Sequence, residues 1–208
     1  QALIKVFKID KQKIYLTYLP NVTVHCDLHS KQKKFCIGYL GRIVPQKGID
    51  ILFEAFHSLE NKNIRLIIAG DGWYDHIKEN ELNANIDYLG IIEDSSHILS
   101  KIDVLIVPSL TTESWKEQFG RVIAEAFSIG IPVIGSDSGS IPSVIGDAGL
   151  IYPEKSPIEL ANRISTLANN KSLYESLSCR AKKRFENYFS VEAHAKCLAK
   201  VFDLKSLK

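Results

Sequence analysis

From about residue 35 onward, short apolar runs alternate with stretches whose apolar residues recur every three or four positions. Phe35–Leu40 predicts a buried strand ending at Gly41, and Ile49, Leu52, Phe53, Phe56 and Leu59 then repeat at helical spacing. Residues 65–69 predict a second strand, Gly70-Asp71-Gly72 a tight turn, and a weaker helix follows through Ile77 and Leu82. Residues 86–89 form a short strand, 98–102 close a small helix, and 104–108 form the next strand. A helix over 119–129 carries Val122, Ile123, Ala126 and Phe127 as its apolar stripe; Gly130 stops it and 132–135 opens a further strand. The last strand is Gly149–Tyr152. Ser156 before Pro157 starts a helical region, because serine can cap free N–H groups and proline suits the first turn. That region runs to Lys208, with breaks near Asn169-Asn170 and at Ser190.

Strands alternating with helices imply an α/β domain: a Rossmann-like, doubly wound parallel sheet with helices on both faces. Such sheets bind ligands outside the carboxyl ends of their strands. The loops 41–48, 70–73, 90–94, 108–120 and 136–142 each follow a strand, so they gather on one edge, where the site is expected. Residues 1–34 fit less well. There 14–19 is a candidate strand, Pro20-Asn21 a turn, and the residues before Ile9 resemble the end of a helix.

Composition narrows the class. A hydrophobic content of 45% can build a core, and 24% charged residues is ordinary for a globular domain. A net charge of +2 is too small to point to nucleic acid, and Lys31-Gln32-Lys33-Lys34 and Lys182-Lys183-Arg184 read as solvated surface. No apolar run reaches the roughly 18 residues that would span a bilayer. Cys26, Cys36, Cys179 and Cys197 form no close pair, so metal and redox spacings are absent and reduced thiols in a cytoplasm are the default. The six histidines offer no helical pair beside carboxylates, and no metal site is predicted. With Gln1 at its start and no methionine anywhere, the sequence reads as a piece cut from a longer chain.

Three stretches carry candidate chemistry. In Gly41-Arg42-Ile43-Val44-Pro45-Gln46-Lys47-Gly48, Lys47 falls at a helix start, where a cation costs about 0.3–1 kcal/mol unless an anion is present. Free N–H groups beside Arg42 and Lys47 would grip a diphosphate, though read alone the stretch serves equally as surface charge on a loop. In Glu117-Gln118-Phe119-Gly120-Arg121-Val122-Ile123-Ala124-Glu125, Gly120 permits close backbone approach and Arg121 is a second cation at a positive helix end. With Glu117 just before that helix and Glu125 at its second turn, the two carboxylates are about 12 Å apart along the axis, too far for an acid–base pair on one bond but suited to the two ends of an extended ligand. An exposed helix bearing two glutamates is the plain alternative. Ser136-Asp137-Ser138-Gly139-Ser140-Ile141-Pro142 is either an N–H-lined sugar or anion loop or simply a turn. Gly70-Asp71-Gly72 lacks a third glycine and follows the second strand rather than the first, unlike a dinucleotide fingerprint.

Together these pieces resemble glycosyltransferase family 4, the large retaining group with the GT-B fold. The resemblance is close over residues 36–153 and rests on Gly41-Arg42 with Lys47-Gly48, Ala69-Gly70-Asp71-Gly72, Pro108-Ser109, Glu117-Gln118-Phe119-Gly120 through Glu125-Ala126, Gly130-Ile131-Pro132-Val133, and Gly139 with Pro142. It implies that Arg42 and Lys47 bind a donor's diphosphate and stabilise the leaving group without a metal or other cofactor. Glu117 would hold hydroxyls of the transferred sugar and Glu125 those of the ribose. Gly41 and the backbone of Phe119, Gly120, Arg121 and Val122 would contact sugar and phosphate, and the loop at Gly90, Ile91 and Ile92 would face the base. Where the family often has a glutamate after the proline, this chain has Ser143, so no role passes to that position.

Family members pair two Rossmann-like domains around the active site. On that pattern residues 1–34 are the end of a missing N-terminal domain and its linker, 35–189 the nucleotide-sugar-binding domain, and 190–208 a crossover helix. The substrate would be a nucleotide diphosphate sugar, its acceptor a sugar or lipid-linked molecule held by the missing domain. Localisation would be cytoplasmic, at the inner face of the membrane if the full enzyme associates with one. A hexosyl-type transferase inactive in transfer when isolated is the expectation. A non-catalytic nucleotide-binding or assembly module, or a sugar-nucleotide epimerase of similar fold, is the alternative.

Overall fold

Alternation decides which side of each strand is buried against which helix, and here both sides are buried. A computed structural model describes residues 8, 10, 17–21, 23–25, 34–61, 63–72 and 85–202. Its strands are β1 (Phe35–Leu40), β2 (Ile64–Ala69), β3 (Ile86–Tyr88), β4 (Val104–Val107), β5 (Val133–Ser136) and β6 (Gly149–Tyr152). They form one six-stranded sheet in the order β3-β2-β1-β4-β5-β6, every pairing parallel. That is the doubly wound arrangement.

The helices are α1 (Ile49–His57), α2 (Ser96–Leu99), α3 (Arg121–Ser128), α4 (Ile141–Ile145), α5 (Pro157–Asn169), α6 (Lys171–Arg184) and α7 (Val191–Val201), with a π-helical turn at Phe185–Phe189. Ile37, Tyr39, Ile64, Leu66, Ile68, Val104, Ile106 and Ile134 pack on one face with Leu52 and Phe56 of α1 and Leu160 and Ile164 of α5. Cys36, Ile67, Ala69, Leu105, Val107 and Val133 pack on the other with Ile98, Ile123, Phe127 and Val144. Successive residues of one strand thus serve opposite layers, as a period of two requires. Helix α6 spans both layers, with Leu177 on the first and Ala181 on the second.

Every predicted apolar position of α1 is buried, Leu59 beyond its end included. Several boundaries shift. The helix expected from residue 119 begins at Arg121, because Gly120 adopts a left-handed φ of 70° and serves as its N-cap. The loop expected over 136–142 contains the start of α4, whose Pro142 suits a first turn. Ser156 does occupy the N-cap of α5, but its side chain makes no capping hydrogen bond. The breaks fall where expected: Asn170 caps α6 by accepting from Leu173 N, and Ser190 caps α7 by accepting from Ala193 N.

The candidate strand at 14–19 is not formed by Thr17–Leu19. Asn21 instead makes one parallel bridge to Ser190, and its N–H donates to the Phe189 carbonyl. Residues 14–16, the helix expected through Ile77 and Leu82, and residues 203–208 lie outside the described residues. No helix among the described residues is long and apolar enough to cross a membrane.

Candidate functional site

β1 and β4 are sheet neighbours, yet the chain leaves one toward β2 and the other toward β5. Their carboxyl ends therefore flank the point where the strand order reverses, the place where doubly wound sheets hold ligands. The loop after β1 is fixed by continuing its ladder: Gly41 N donates to Ala69 O at 3.0 Å and Ile43 N to Asp71 O at 2.7 Å. Gly70-Asp71-Gly72 is thus an extension of the sheet. A 3-10 turn at Pro45–Lys47 then delivers Lys47 to the edge, and Gly48 caps α1 with φ 68°. A Cβ on Gly48 would overlap the Pro108 carbonyl oxygen, and Leu110 N donates to Gln46 O at 2.8 Å, so the β1 and β4 loops are packed backbone to backbone.

The loop after β4 is held from the other side. Ser136 Oγ donates to Ser109 O, Thr111 Oγ1 and Ser138 Oγ are 2.9 Å apart, and the Thr111 N–H donates to the Glu154 carboxylate. Thr112 and Trp115 close a turn, Thr112 N donating to Trp115 O at 2.8 Å and Trp115 N to Thr112 Oγ1 at 3.0 Å. The Glu117 carbonyl accepts from both Ser140 N and Ser140 Oγ, at 3.0 and 3.2 Å.

These two loops bring the predicted charges together. Lys47 Nζ stands 2.6 Å from Oε2 of Glu117, and Ser109 Oγ donates to the same oxygen at 3.1 Å. Glu117 is only 9% exposed, so its charge is largely removed from water and depends on these two donors. Lys47 Nζ also lies 5.0 Å from the centre of the Trp115 ring. Beneath them Tyr39 is buried, its hydroxyl donating to Arg42 O at 2.6 Å. Burial pushes the Tyr39 phenol up, the Glu117 charge adds to this and Arg42 opposes it, so Tyr39 acts as a neutral donor.

A cleft of about 380 Å³ opens at this point. Gly41, Arg42, Lys47, Glu117, Phe119, Gly120, Arg121 and Val122 all line it. Gly120 offers no side-chain cap, leaving the first N–H groups of α3 free to meet an anion. Three predicted residues do not line this cleft. Glu125 lies half-buried on the second turn of α3, beyond Arg121. Gly90 stands past β3, its carbonyl accepting from Gly70 N at 2.9 Å, and Ile92 packs partly into the second layer. Glu117 precedes α3 as expected, but the helix starts only at Arg121, so axial rise does not give the separation of Glu117 from Glu125. Ser143 is exposed and turned onto Ser140 O.

Sequence reasoning gave no role to Tyr39, Ser109 or Trp115. One signal was available: Trp115 and Glu117 are two positions apart, the spacing that puts two side chains on one side of an extended segment. Among the described residues, no three His, Cys, Asp or Glu side chains are grouped to hold a metal ion.

Residues 25–184 match the family described as Glycosyl transferases group 1. The chain belongs to the group 1 glycosyl transferases. It is 31% identical to the capsular polysaccharide biosynthesis glycosyltransferase CapM of Staphylococcus aureus, over 75% of this chain and 42% of that protein. The crystal structure of Anabaena Alr3699/HepE in complex with UDP shares its fold with a TM-score of 0.72 and 24% identity, over 83% of this chain and 50% of that one. The C-terminal domain of a glycosyl transferase group 1 family protein from Francisella tularensis does so with a TM-score of 0.64 and 22% identity, over 76% and 87%. This group 1 domain is therefore a Rossmann-like unit of the GT-B type. It spans about half the length of the curated relatives it matches.

Proposed function

We propose that this group 1 domain binds the donor of a retaining, family 4 glycosyltransferase that moves a hexose from a nucleoside diphosphate to an acceptor hydroxyl. The observation that carries the reading is the meeting of Arg42, Lys47 and Glu117 in one cleft at the β1/β4 switch point. A diphosphate placed there would meet two cations and the free N–H groups of α3, while the neighbouring carboxylate suits sugar hydroxyls. In transfer, the bond from the anomeric carbon to the β-phosphate oxygen breaks and the diphosphate leaves with the electron pair. The same carbon bonds the acceptor oxygen, whose proton is released. Arg42, Lys47 and the α3 N–H groups would stabilise the charge that builds on the departing oxygen, the electrostatic contribution that usually dominates such steps.

Residues 35–189 form the donor domain in this reading, with 1–34 and 190–208 leading to and from a second domain that holds the acceptor. That the chain spans about half of each relative supports a second domain in the whole enzyme. A full-length homologous enzyme should then transfer hexose, whereas the 208 residues alone should bind the nucleotide without transferring. Product analysis of both, with the anomeric configuration read by NMR, is the test; inverted product or robust transfer by this chain alone contradicts the reading.

A further inference from the structure

We infer that Trp115 is a positioning residue for Lys47: its indole face holds the ammonium in the cleft without neutralising it, so that the charge remains available to a diphosphate. The inference rests on the donor-site reading given above and adds a residue to that site.

Lys47 Nζ has two neighbours of different character. One is Oε2 of Glu117 at 2.6 Å, the other the Trp115 ring at 5.0 Å, within the roughly 6 Å over which an aromatic face attracts a cation. The carboxylate holds the ammonium but cancels its charge, and a diphosphate can recruit Lys47 fully only by loosening that pair. Once loosened, the lysine is a point charge on a flexible four-carbon stem. An aromatic face restrains such a cation through its quadrupole and offers no anionic oxygen that phosphate must displace. It can therefore keep the ammonium aimed while the nitrogen's protons turn to phosphate. Trp115 is placed for this independently of Lys47. Its backbone closes the turn with Thr112, and the adjoining Thr111 is anchored to Ser138 and Glu154. The Trp115 backbone is thus tied down beside Lys47, whose long stem is the movable part.

A double-mutant cycle tests this, because two residues that act through one another give non-additive effects. The 208-residue chain is titrated calorimetrically with UDP, GDP and ADP, and the tightest of these is then used with Trp115→Leu, Lys47→Ala and the double variant. Trp115→Leu is expected to weaken binding about threefold to tenfold, the range for a partly exposed cation–aromatic contact. In the Lys47→Ala background it should change affinity by less than about twofold. Trp115→Phe, which keeps a weaker aromatic face, should fall between wild type and Trp115→Leu, and it stands in for the leucine variant if that one fails to fold. Equal loss from Trp115→Leu in both backgrounds, or no loss in either, overturns the inference while leaving the donor site intact. Failure of the wild-type chain to bind any of the three nucleotides overturns the donor-site reading and this inference with it. A second readout is optical: the chain has two tryptophans, so in Trp73→Phe the emission of Trp115 alone should shift when the ammonium beside its ring exchanges Glu117 for phosphate. The shift should vanish with Lys47→Ala; a shift that persists unchanged without the lysine contradicts the mechanism.

Discussion

Gly139 backs directly onto the peptide of Glu117: a Cβ at position 139 would overlap the Glu117 carbonyl oxygen, and Gly139 holds a left-handed φ of 56°. The loop after β5 therefore sets the height of the Glu117 backbone, with Ser140 donating to it through both N and Oγ. Gly139→Ala should cost about 1–3 kcal/mol from backbone conformation alone, with the overlap added. It should also displace Glu117, so that affinity for a sugar-bearing donor falls with stability. Urea unfolding and donor titration on the same variant check both. A variant as stable and as tight as wild type would show that Gly139 does not fix the Glu117 loop.

Lys47→Ala and Arg42→Ala each remove one of the cations that line the cleft. A charge-assisted contact contributes about 1.5–3 kcal/mol, so Lys47→Ala should weaken a nucleoside diphosphate roughly ten- to a hundredfold. Arg42→Ala should weaken it in the same direction, whatever sugar the nucleotide carries. Titration of both variants with the bare nucleotide and with its sugar conjugate is the measurement.

The two glutamates should separate. Glu117→Ala releases Lys47 from its ion pair, so affinity for bare nucleotide should stay within about threefold of wild type or tighten, while the sugar-bearing donor is weakened. Glu125 lies on α3 outside the cleft lining, and its assignment to the ribose requires Glu125→Ala to weaken bare nucleotide and donor alike. Equal weakening of both ligands by Glu117→Ala would contradict this division.

The parallel sheet and the helices on both its faces were legible because a parallel sheet writes itself as short apolar runs between helical repeats, whereas the strand order came only with the structure. The cleft was legible for a different reason: Arg42, Lys47, Glu117 and Phe119–Val122 are local motifs on strand ends, and strand ends of one sheet share an edge. What could not be read depends on three-dimensional partners. That Gly70-Asp71-Gly72 extends the β1–β2 ladder follows from pairing with Gly41 and Ile43, not from its own composition. Helix α4 is five residues long, too short to show a period. The contributions of Ser109 and Tyr39 come from Glu117 and Arg42 folding over them, contacts made across distant segments or against a backbone oxygen.

Cys36 gives a prediction in pH. Burial, with Asp103 nearby, pushes its thiol up to about 11 from an ordinary 9.0. The folded chain thus keeps the proton longer than the unfolded one, so this contribution is complete below pH 9 and is lost as pH rises toward 11. The urea midpoint should fall across that window, and Cys36→Ala should flatten the fall. The buried Tyr39 and Tyr152 and the half-buried Tyr174 start from an ordinary value of 10.0 and are pushed higher, so they add to the fall as pH approaches 10, and only the part of the slope removed by Cys36→Ala belongs to the thiol. An unchanged slope in Cys36→Ala would assign the loss to other groups.

A nucleoside diphosphate held in the cleft between the β1 and β4 loops is the core of the proposed function. Its most direct test is a two-dimensional amide NMR titration of the chain with UDP, GDP and ADP, in wild type and in Lys47→Ala. At least one nucleotide should shift the amides of Gly41, Arg42, Gly120, Arg121 and Val122 together, and the lysine variant should need roughly ten- to a hundredfold more nucleotide for the same shifts. Shifts confined to another part of the chain, or a wild type and variant that titrate alike, would contradict it.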